Sequence, residues 1–430
     1  MKRSAKNIDI TNLLTVLPWV TDCIGRHYKR RDFRNLLIEH GLKKSEYYRI
    51  KRENDKASLA PYCLRIAETA CSQIRSKKLS LSKITIKERR DPSNGKIRPI
   101  GNEGALQQVF DYIAVYSSMD IFRRRIVLAQ VSSIKKRGQL LGVKLIKSWL
   151  KKDNHAAKYA REHGLRYSRR ITYFVKLDIR KCFPSARLEI FLEYFRRDCG
   201  NQDILWLWEQ LLRSHRTDGN QGFMIGALPS CWALQYMVSY VYRKAMDIHY
   251  TRRGQRYKTF HKCAIFMDDV LLLGSNRKQM QKGIKELISY TKDAFGLELK
   301  PSWHIEKLTS PDAMQTARTA GDSDAWHRYR LKEKAIDMMG YITHPDGSCT
   351  IRGRTFIKAR RAVLRFNRTG SYNLKQAERA CSYKGYFKHS ASYRAEKLYN
   401  IGKAFAEAAK VVSRNAKLKA GGKKHAKSIL

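Results

Sequence analysis

Three acidic residues carry the chemistry this sequence offers. Asp268 and Asp269 stand side by side in Ala264-Ile265-Phe266-Met267-Asp268-Asp269-Val270-Leu271-Leu272-Leu273-Gly274, with apolar runs on both sides. Asp178 ends a second, largely apolar run, Tyr173-Phe174-Val175-Lys176-Leu177. An Asp pair in mid-strand would bury at least one carboxylate, because successive side chains point to opposite faces, and a buried unpaired charge is costly. A tight turn, with Phe266 and Val270 near the two strand ends, avoids that cost and presents a carboxylate at the end of a sheet. Alone, the pair also reads as an ordinary surface turn, and Asp178 as a helix N-cap. Together they form an oxygen-rich cluster drawn from two neighbouring strands, which suits Mg²⁺ shared with substrate phosphates. Two such ions, roughly 4 Å apart, clamp the attacking and leaving oxygens of a phosphoryl transfer. One lowers the pKa of an attacking 3′-hydroxyl, and the other neutralises charge growing on pyrophosphate.

The elements that must position these acids follow from periodicity. Residues 173–179 read as a strand leading through 180–185 into a helix at 188–195. Residues 262–274 read as a hairpin, preceded by a helix over 230–250 and followed by one over 278–295. Short strands are expected at 297–299 and 303–308, then an irregular insertion over 309–334. A further hairpin is expected over 335–351, around Pro345-Asp346-Gly347. Upstream, residues 1–80 read as helical, with apolar positions at helical spacing. Residues 81–101 read as a basic hairpin turning at Asp91-Pro92-Ser93-Asn94-Gly95-Lys96. Helices follow to 125 and from 139 to 150, with 151–170 a loop or exposed helix. From 355 the chain reads as helical, over 355–366, 373–386 and 392–412, ending in a basic tail.

Composition limits the partners. The 430 residues hold 87 Lys+Arg against 38 Asp+Glu, a net charge of +49. Such an excess repels itself in a compact chain unless a polyanion neutralises it. Nucleic acid is the expected partner, bound through a salt-sensitive phosphate contribution; a membrane surface is the alternative. No apolar stretch reaches the length of a membrane span, and the longest, around 224–242, is broken by Pro229. The N-terminus lacks a signal peptide's apolar core. The cysteines, at 23, 63, 71, 182, 199, 231, 263, 349 and 381, form no C-x-x-C pair. They argue against a zinc ribbon and for reduced thiols in a cytoplasmic protein.

Several runs, in order, resemble reverse transcriptase motifs. Lys176-Leu177-Asp178-Ile179-Arg180-Lys181-Cys182-Phe183-Pro184-Ser185 is similar to motif A, the segment 222–230 to motif B, and Phe266-Met267-Asp268-Asp269 to motif C. Gly296-Leu297-Glu298-Leu299-Lys300-Pro301 resembles the next motif, Met338-Met339-Gly340-Tyr341-Ile342 the primer-grip hairpin, and Lys96-Ile97-Arg98-Pro99-Ile100 the fingers hairpin. The resemblance covers about residues 84–400. It implies an α+β right-hand polymerase: a helical N-terminal extension (1–80), fingers (81–170), a palm with an antiparallel sheet (171–350, with a fingers-like insertion about 186–220), and a helical thumb with a basic tail (351–430). The implied activity is RNA-directed DNA synthesis, a nucleotidyl transfer with two Mg²⁺ ions, dNTPs, an RNA template and a cDNA product.

The resemblance also assigns roles. Asp178 and Asp268 are expected to hold metal, joined by the backbone carbonyl of Ile179, with Asp269 as supporting acid and ligand. Phe183 takes the place of an aromatic gate against the 2′-hydroxyl. Motif B has two registers, Gln221-Gly222 by residue type or Ile225-Gly226 by distance to Ser230, and either glycine admits close backbone approach. Arg98, and after it Lys87, is expected to hold triphosphate; Lys300 or Lys307 is a candidate to protonate pyrophosphate. Phe266 stands where the family usually has Tyr. The chain is most like bacterial defence-associated reverse transcriptases of the unknown groups, which copy a dedicated structured non-coding RNA in anti-phage defence. Retron and diversity-generating retroelement enzymes are competing resemblances, the latter departing at Ser230-Cys231, and the Arg137-Gly138 turn resembles the group II intron lineage. Homo-oligomerisation, an RNA-binding maturase or scaffold with an inactive palm, and a template-independent terminal transferase stay open.

Overall fold

The computed structural model describes residues 3–90, 95–216, 222–320, 324, 329 and 332–425. Periodic apolar positions build the N-terminal helices as the sequence leads one to expect. Helix α1 (Leu13–His27) starts at Asn12, whose side chain accepts the Leu14 N–H, and buries Val16, Val20, Cys23 and Ile24. It is followed by α2 (Arg31–Glu39), α3 (Lys44–Glu53) and α4 (Ala60–Arg75). Strands β1 (Thr85–Arg90) and β2 (Ile97–Asn102) form the basic hairpin, with Lys87 opposite Ile100 and Arg89 opposite Arg98. The turn positions 91–94 lie outside the described residues. Then come α5 (Ala105–Ser117), α6 (Met119–Arg125) and α7 (Gln139–Glu162). Helix α7 runs well past residue 150. Its polar continuation is held because Asp153 faces inward and accepts from Tyr167 Oη and the Arg170 N–H, while Ala160 is buried.

The central elements are β3 (Tyr173–Asp178), α8 (Cys182–Ser185), α9 (Leu188–Asp198), α10 (Gln202–Ser214) and α11 (Leu228–Asp247). They continue through β4 (His249–Arg252), β5 (Gln255–Lys258), β6 (Lys262–Phe266), β7 (Asp269–Gly274), α12 (Arg277–Phe295) and β8 (Glu306–Lys307). The order β6-β7-β3-β8 makes an antiparallel sheet. Its strands are largely apolar because most of both faces is buried, with Lys176 and Lys262 exposed. Val175, Leu177, Cys263, Ile265, Val270 and Leu272 join the large core with the helices. Phe174, Ala264, Leu271 and Leu273 enter a second core with Ile146 and Leu150 of α7.

Several local expectations are corrected. The helix expected to reach 250 stops at Asp247, and β4–β5 forms a hairpin around Arg253-Gly254, both at positive φ. Residues 297–299 contribute only a bridge, Leu299 to Ile179, and the expected strand at 303–308 shrinks to β8. Within the insertion lies α13 (Pro311–Thr319), capped by Ser310 with proline at the first turn, where its missing N–H costs nothing. The expected hairpin at 335–351 is a three-stranded meander of β9 (Ile336–Met338), β10 (Tyr341–Thr343) and β11 (Cys349–Ile351). Its first turn places Met339 and Gly340 at φ +56° and +82°, a primed turn without the usual Asn-Gly signal. The C-terminal helices α14 (Gly353–Thr369), α15 (Leu374–Lys388), α16 (Tyr393–Leu398) and α17 (Ile401–His425) pack around a core of their own. No helix among the described residues is long and apolar enough to cross a membrane.

Candidate active site

Antiparallel pairing of β3 with β7 sets Asp178 opposite Asp269, and Phe266 pairs with Asp269 across a two-residue turn formed by Met267 and Asp268. Met267 takes φ +57°, as the first central residue of a primed hairpin turn requires. The Ile179 N–H donates to the Asp268 carbonyl at 2.9 Å, which ties the turn to the end of β3. The three acids thus gather at one end of the sheet.

Their electrostatics distinguish the two adjacent acids. Burial raises the pKa of Asp268, the Asp178 charge adds to it, and Arg98 and Lys300 act in opposition. Burial also pushes Asp269 up to about 6, helped by Asp268 and Asp178, against Lys176 and Arg352. The two different cation sets mark two sides of the turn. Asp178 Oδ1 is buried, and Lys300 Nζ lies 2.7 Å away as its charge partner. Hard carboxylate oxygens from three acids, two of them with raised pKa values, fit a divalent cation. A folded pKa raised from 3.8 to about 6 means that Asp269 favours the fold most at low pH, and this contribution is lost as pH rises through that window. Saturating Mg²⁺ is therefore expected to raise Tm by about 2 °C at pH 8 and by less at pH 5.5. Thermal unfolding checks this, and Asp268→Ala should remove the increment.

A second acidic cluster stands apart from this one. Among the described residues, Glu103, Asp111 and His215 are the set of three metal-ligand side chains whose donor atoms all come within 4.8 Å of one another. Glu103 Oε1 is 2.9 Å from His215 Nε2, and His215 Nδ1 is 3.1 Å from Ser230 Oγ. Burial, then the Glu103 charge, raises Asp111 well above the usual carboxylate range. Glu103 is lowered despite burial, through hydrogen bonds with His215 and Asp111. A protonated Asp111 beside an ionised Glu103 satisfies this cluster internally. It clasps the base of the β1–β2 hairpin to the first turn of α11.

The residues expected to form a nucleotide pocket are brought together in part. Half-buried Phe183 lies on α8, and its carbonyl accepts the Phe223 N–H at 2.8 Å. A Cβ on Gly222 would lie 2.1 Å from the Pro184 carbonyl oxygen and 2.6 Å from that of Phe183. Gln221 lies outside the described residues. The other register meets a different wall: the Ile225 carbonyl accepts the Gly101 N–H at 3.0 Å. Gly226, at φ +108°, would press a Cβ to 2.8 Å from Ile100 Cγ2. Of the two glycines, Gly222 is the one brought to Phe183. Arg98, Ile100 and Lys87 share one face of the hairpin, and the Arg98 charge reaches Asp268, while Lys87 sits two residues nearer the hairpin base. The two lysine candidates separate. Lys300 is at Asp178, and its N–H donates to the Asp178 carbonyl at 2.8 Å. Lys307 pairs with Tyr173 at the far end of β3.

Sequence reasoning missed Ser132 and Gln235. The Met267 N–H donates to Ser132 Oγ at 2.8 Å, and Gln235 Nε2 donates to the same oxygen at 2.8 Å. Both residues are polar and buried. No motif signals them, since their partners lie more than a hundred residues away.

Residues 125–318 match the family model for reverse transcriptase (RNA-dependent DNA polymerase). That segment is a reverse transcriptase domain, and the enzyme class it carries is RNA-directed DNA polymerase, a nucleotidyltransferase. No curated protein matches the chain. Solved structures similar to it include apo telomerase from Candida tropicalis truncated from its C-terminal domain, at 12% identity and TM-score 0.37, covering 82% of this chain and 84% of that one. Telomerase from Candida albicans with a TWJ fragment of telomeric RNA gives 11% identity and TM-score 0.37, covering 79% of this chain and 62% of that one. Likeness at that level carries no argument about function.

Proposed function

We propose that the chain copies RNA into DNA by two-metal nucleotidyl transfer at the end of the β6-β7-β3-β8 sheet. The observation that carries the reading is the gathering of Asp178, Asp268 and Asp269 beside Lys300 and Arg98, with Phe183 and Gly222 in contact nearby. Asp178 and Asp268, with the Ile179 carbonyl, are assigned as metal ligands, and Asp269 as a supporting ligand. Bound Mg²⁺ would supply activation of the primer hydroxyl and charge neutralisation on the leaving pyrophosphate. The remaining work belongs to side chains. Arg98 is assigned as a forked donor to the triphosphate, and Lys300, the candidate lysine beside Asp178, as the donor of a proton to the departing pyrophosphate. The Phe183 ring is assigned to exclude a 2′-hydroxyl.

The same reading divides the chain into an N-terminal extension (1–80), fingers (81–170), palm (171–350) and thumb with tail (351–430). The template is inferred to be a dedicated structured non-coding RNA and the setting bacterial anti-phage defence, on the motif resemblance and the +49 charge. The direct test is dNTP incorporation on an RNA template beside a no-template control, with sequencing of co-purifying RNA and cDNA. Incorporation without template would favour a terminal transferase, and RNA binding without incorporation a scaffold. Phe183→Ala is expected to raise the rNTP-to-dNTP ratio of kcat/KM by about 10-fold or more, as loss of a steric contact worth at least 1.4 kcal/mol would do. An unchanged ratio would remove the gate assignment.

A further inference from the structure

The Met267–Asp268 turn does not stand alone. Residues 129–131 run parallel to β6: Ile265 N–H donates to the Ala129 carbonyl at 2.9 Å, and Val131 N–H to the Ile265 carbonyl at 3.0 Å. This strip delivers Ser132 to the turn, where Ser132 Oγ accepts the Met267 N–H at 2.8 Å. Ser133 Oγ lies 3.6 Å from Met267 Sδ, so two consecutive serines meet one residue's amide and thioether. Behind them, Gln235 on α11 donates to Ser132 Oγ, and Gln130 Nε2 donates to the Gln235 carbonyl at 2.8 Å and to its side-chain oxygen at 3.2 Å. Gln130 Oε1 accepts the Val127 N–H at 3.1 Å. Gln130, Ser132 and Gln235 are 0%, 2% and 3% exposed.

Burying three polar side chains is costly unless each is satisfied. Here two donors converge on Ser132 Oγ, one from Gln235 and the other the main-chain amide of Met267, a non-glycine residue at positive φ. Such a conformation persists only when its surroundings over-determine it. Asp268 follows directly, so any drift of Met267 moves that carboxylate relative to Asp178.

We propose that Ser132, backed by Gln235 and Gln130, is a positioning residue for the Met267–Asp268 turn. The relay fixes the spacing of the Asp268 and Asp178 carboxylates and joins it to helix α11. The inference rests on the polymerase reading for its catalytic consequence, but not for its structural one. With methyl-¹³C methionine in the full chain, the Met267 methyl resonance (assigned by Met267→Leu) reports the turn directly, and Mg²⁺ titration of dNTP incorporation reports the carboxylates. Ser132→Ala is expected to shift or broaden the Met267 resonance. It should raise the Mg²⁺ needed for half-maximal rate about 10-fold and lower kcat by a factor between about 10 and 100, the scale of a sub-ångström to 1 Å misplacement, with dNTP KM within about two-fold of wild type. Gln235→Met, close in size, should act in the same direction with a smaller effect. A Ser132→Ala protein with the wild-type resonance and wild-type Mg²⁺ dependence would overturn the inference. Should the wild-type protein incorporate no dNTP, the polymerase reading falls, and the Met267 resonance alone still decides whether the relay holds the turn.

Discussion

Replacing Asp268 and Asp269 together by alanine is expected to cut dNTP incorporation on an RNA template by at least about 10⁴-fold, because cation-assisted activation of the nucleophile is lost. RNA affinity should stay within about two-fold, since it is expected to rest on the +49 charge meeting phosphates, to which two half-buried acids contribute little. The fold should not suffer. Asp268 and Asp269 both have raised pKa values in a site of like charges, so at neutral pH they are held ionised against their surroundings. Their removal relieves repulsion, and the double variant should unfold no earlier than wild type in metal-free buffer. Incorporation, RNA binding and thermal unfolding measured on one preparation check all three outcomes. Synthesis retained in the double variant would end the assignment of these acids.

Gly222→Ala is expected to lower kcat/KM for dNTPs about 10²-fold, the cost of misplacing a pocket wall by about 1 Å. The added methyl group would meet main chain, not a side chain that can swing away: the Pro184 and Phe183 carbonyl oxygens at 2.1 and 2.6 Å. One of the two segments must therefore move, and the segment bearing Phe183 is tied to the neighbouring Phe223 N–H through the same carbonyl. Steady-state kinetics at saturating primer-template would show the loss. Gly385→Ala serves as a matched control, because a Cβ there meets nothing within 4 Å and the helix gains a better former. Equal kinetics for the two variants would show that the close approach of Gly222 has no bearing on the pocket.

The elements that hold the acids were legible because their signals are local. Largely apolar runs at 173–179 and 263–273 mark strands mostly buried on both faces, and an Asp pair between two apolar stretches requires a turn. The extent of α7 was not legible, because Asp153 reads as a solvent residue until Tyr167 and Arg170 are folded back on it. The choice between Lys300 and Lys307 needed the strand register, which one bridge at Leu299 and the short β8 decide. Ser132 and Gln235 are ordinary polar residues in sequence. They acquire meaning only when the loop before α7 and the helix after Gly226 meet the same turn.

Lys300 gives the resting site a particular character. Its ammonium already occupies the electrostatic place beside Asp178, and its own main-chain N–H anchors it there. Asp178 therefore already carries a tethered monovalent counter-ion, so that a divalent ion binding there, as proposed, would be an exchange and not an addition. On the proposed two-metal reading, a divalent ion would compete with this lysine for Asp178, and a phosphate offering the lysine another anion would favour the ion. The same reading would couple nucleotide arrival to ion loading through the reach of a single side chain.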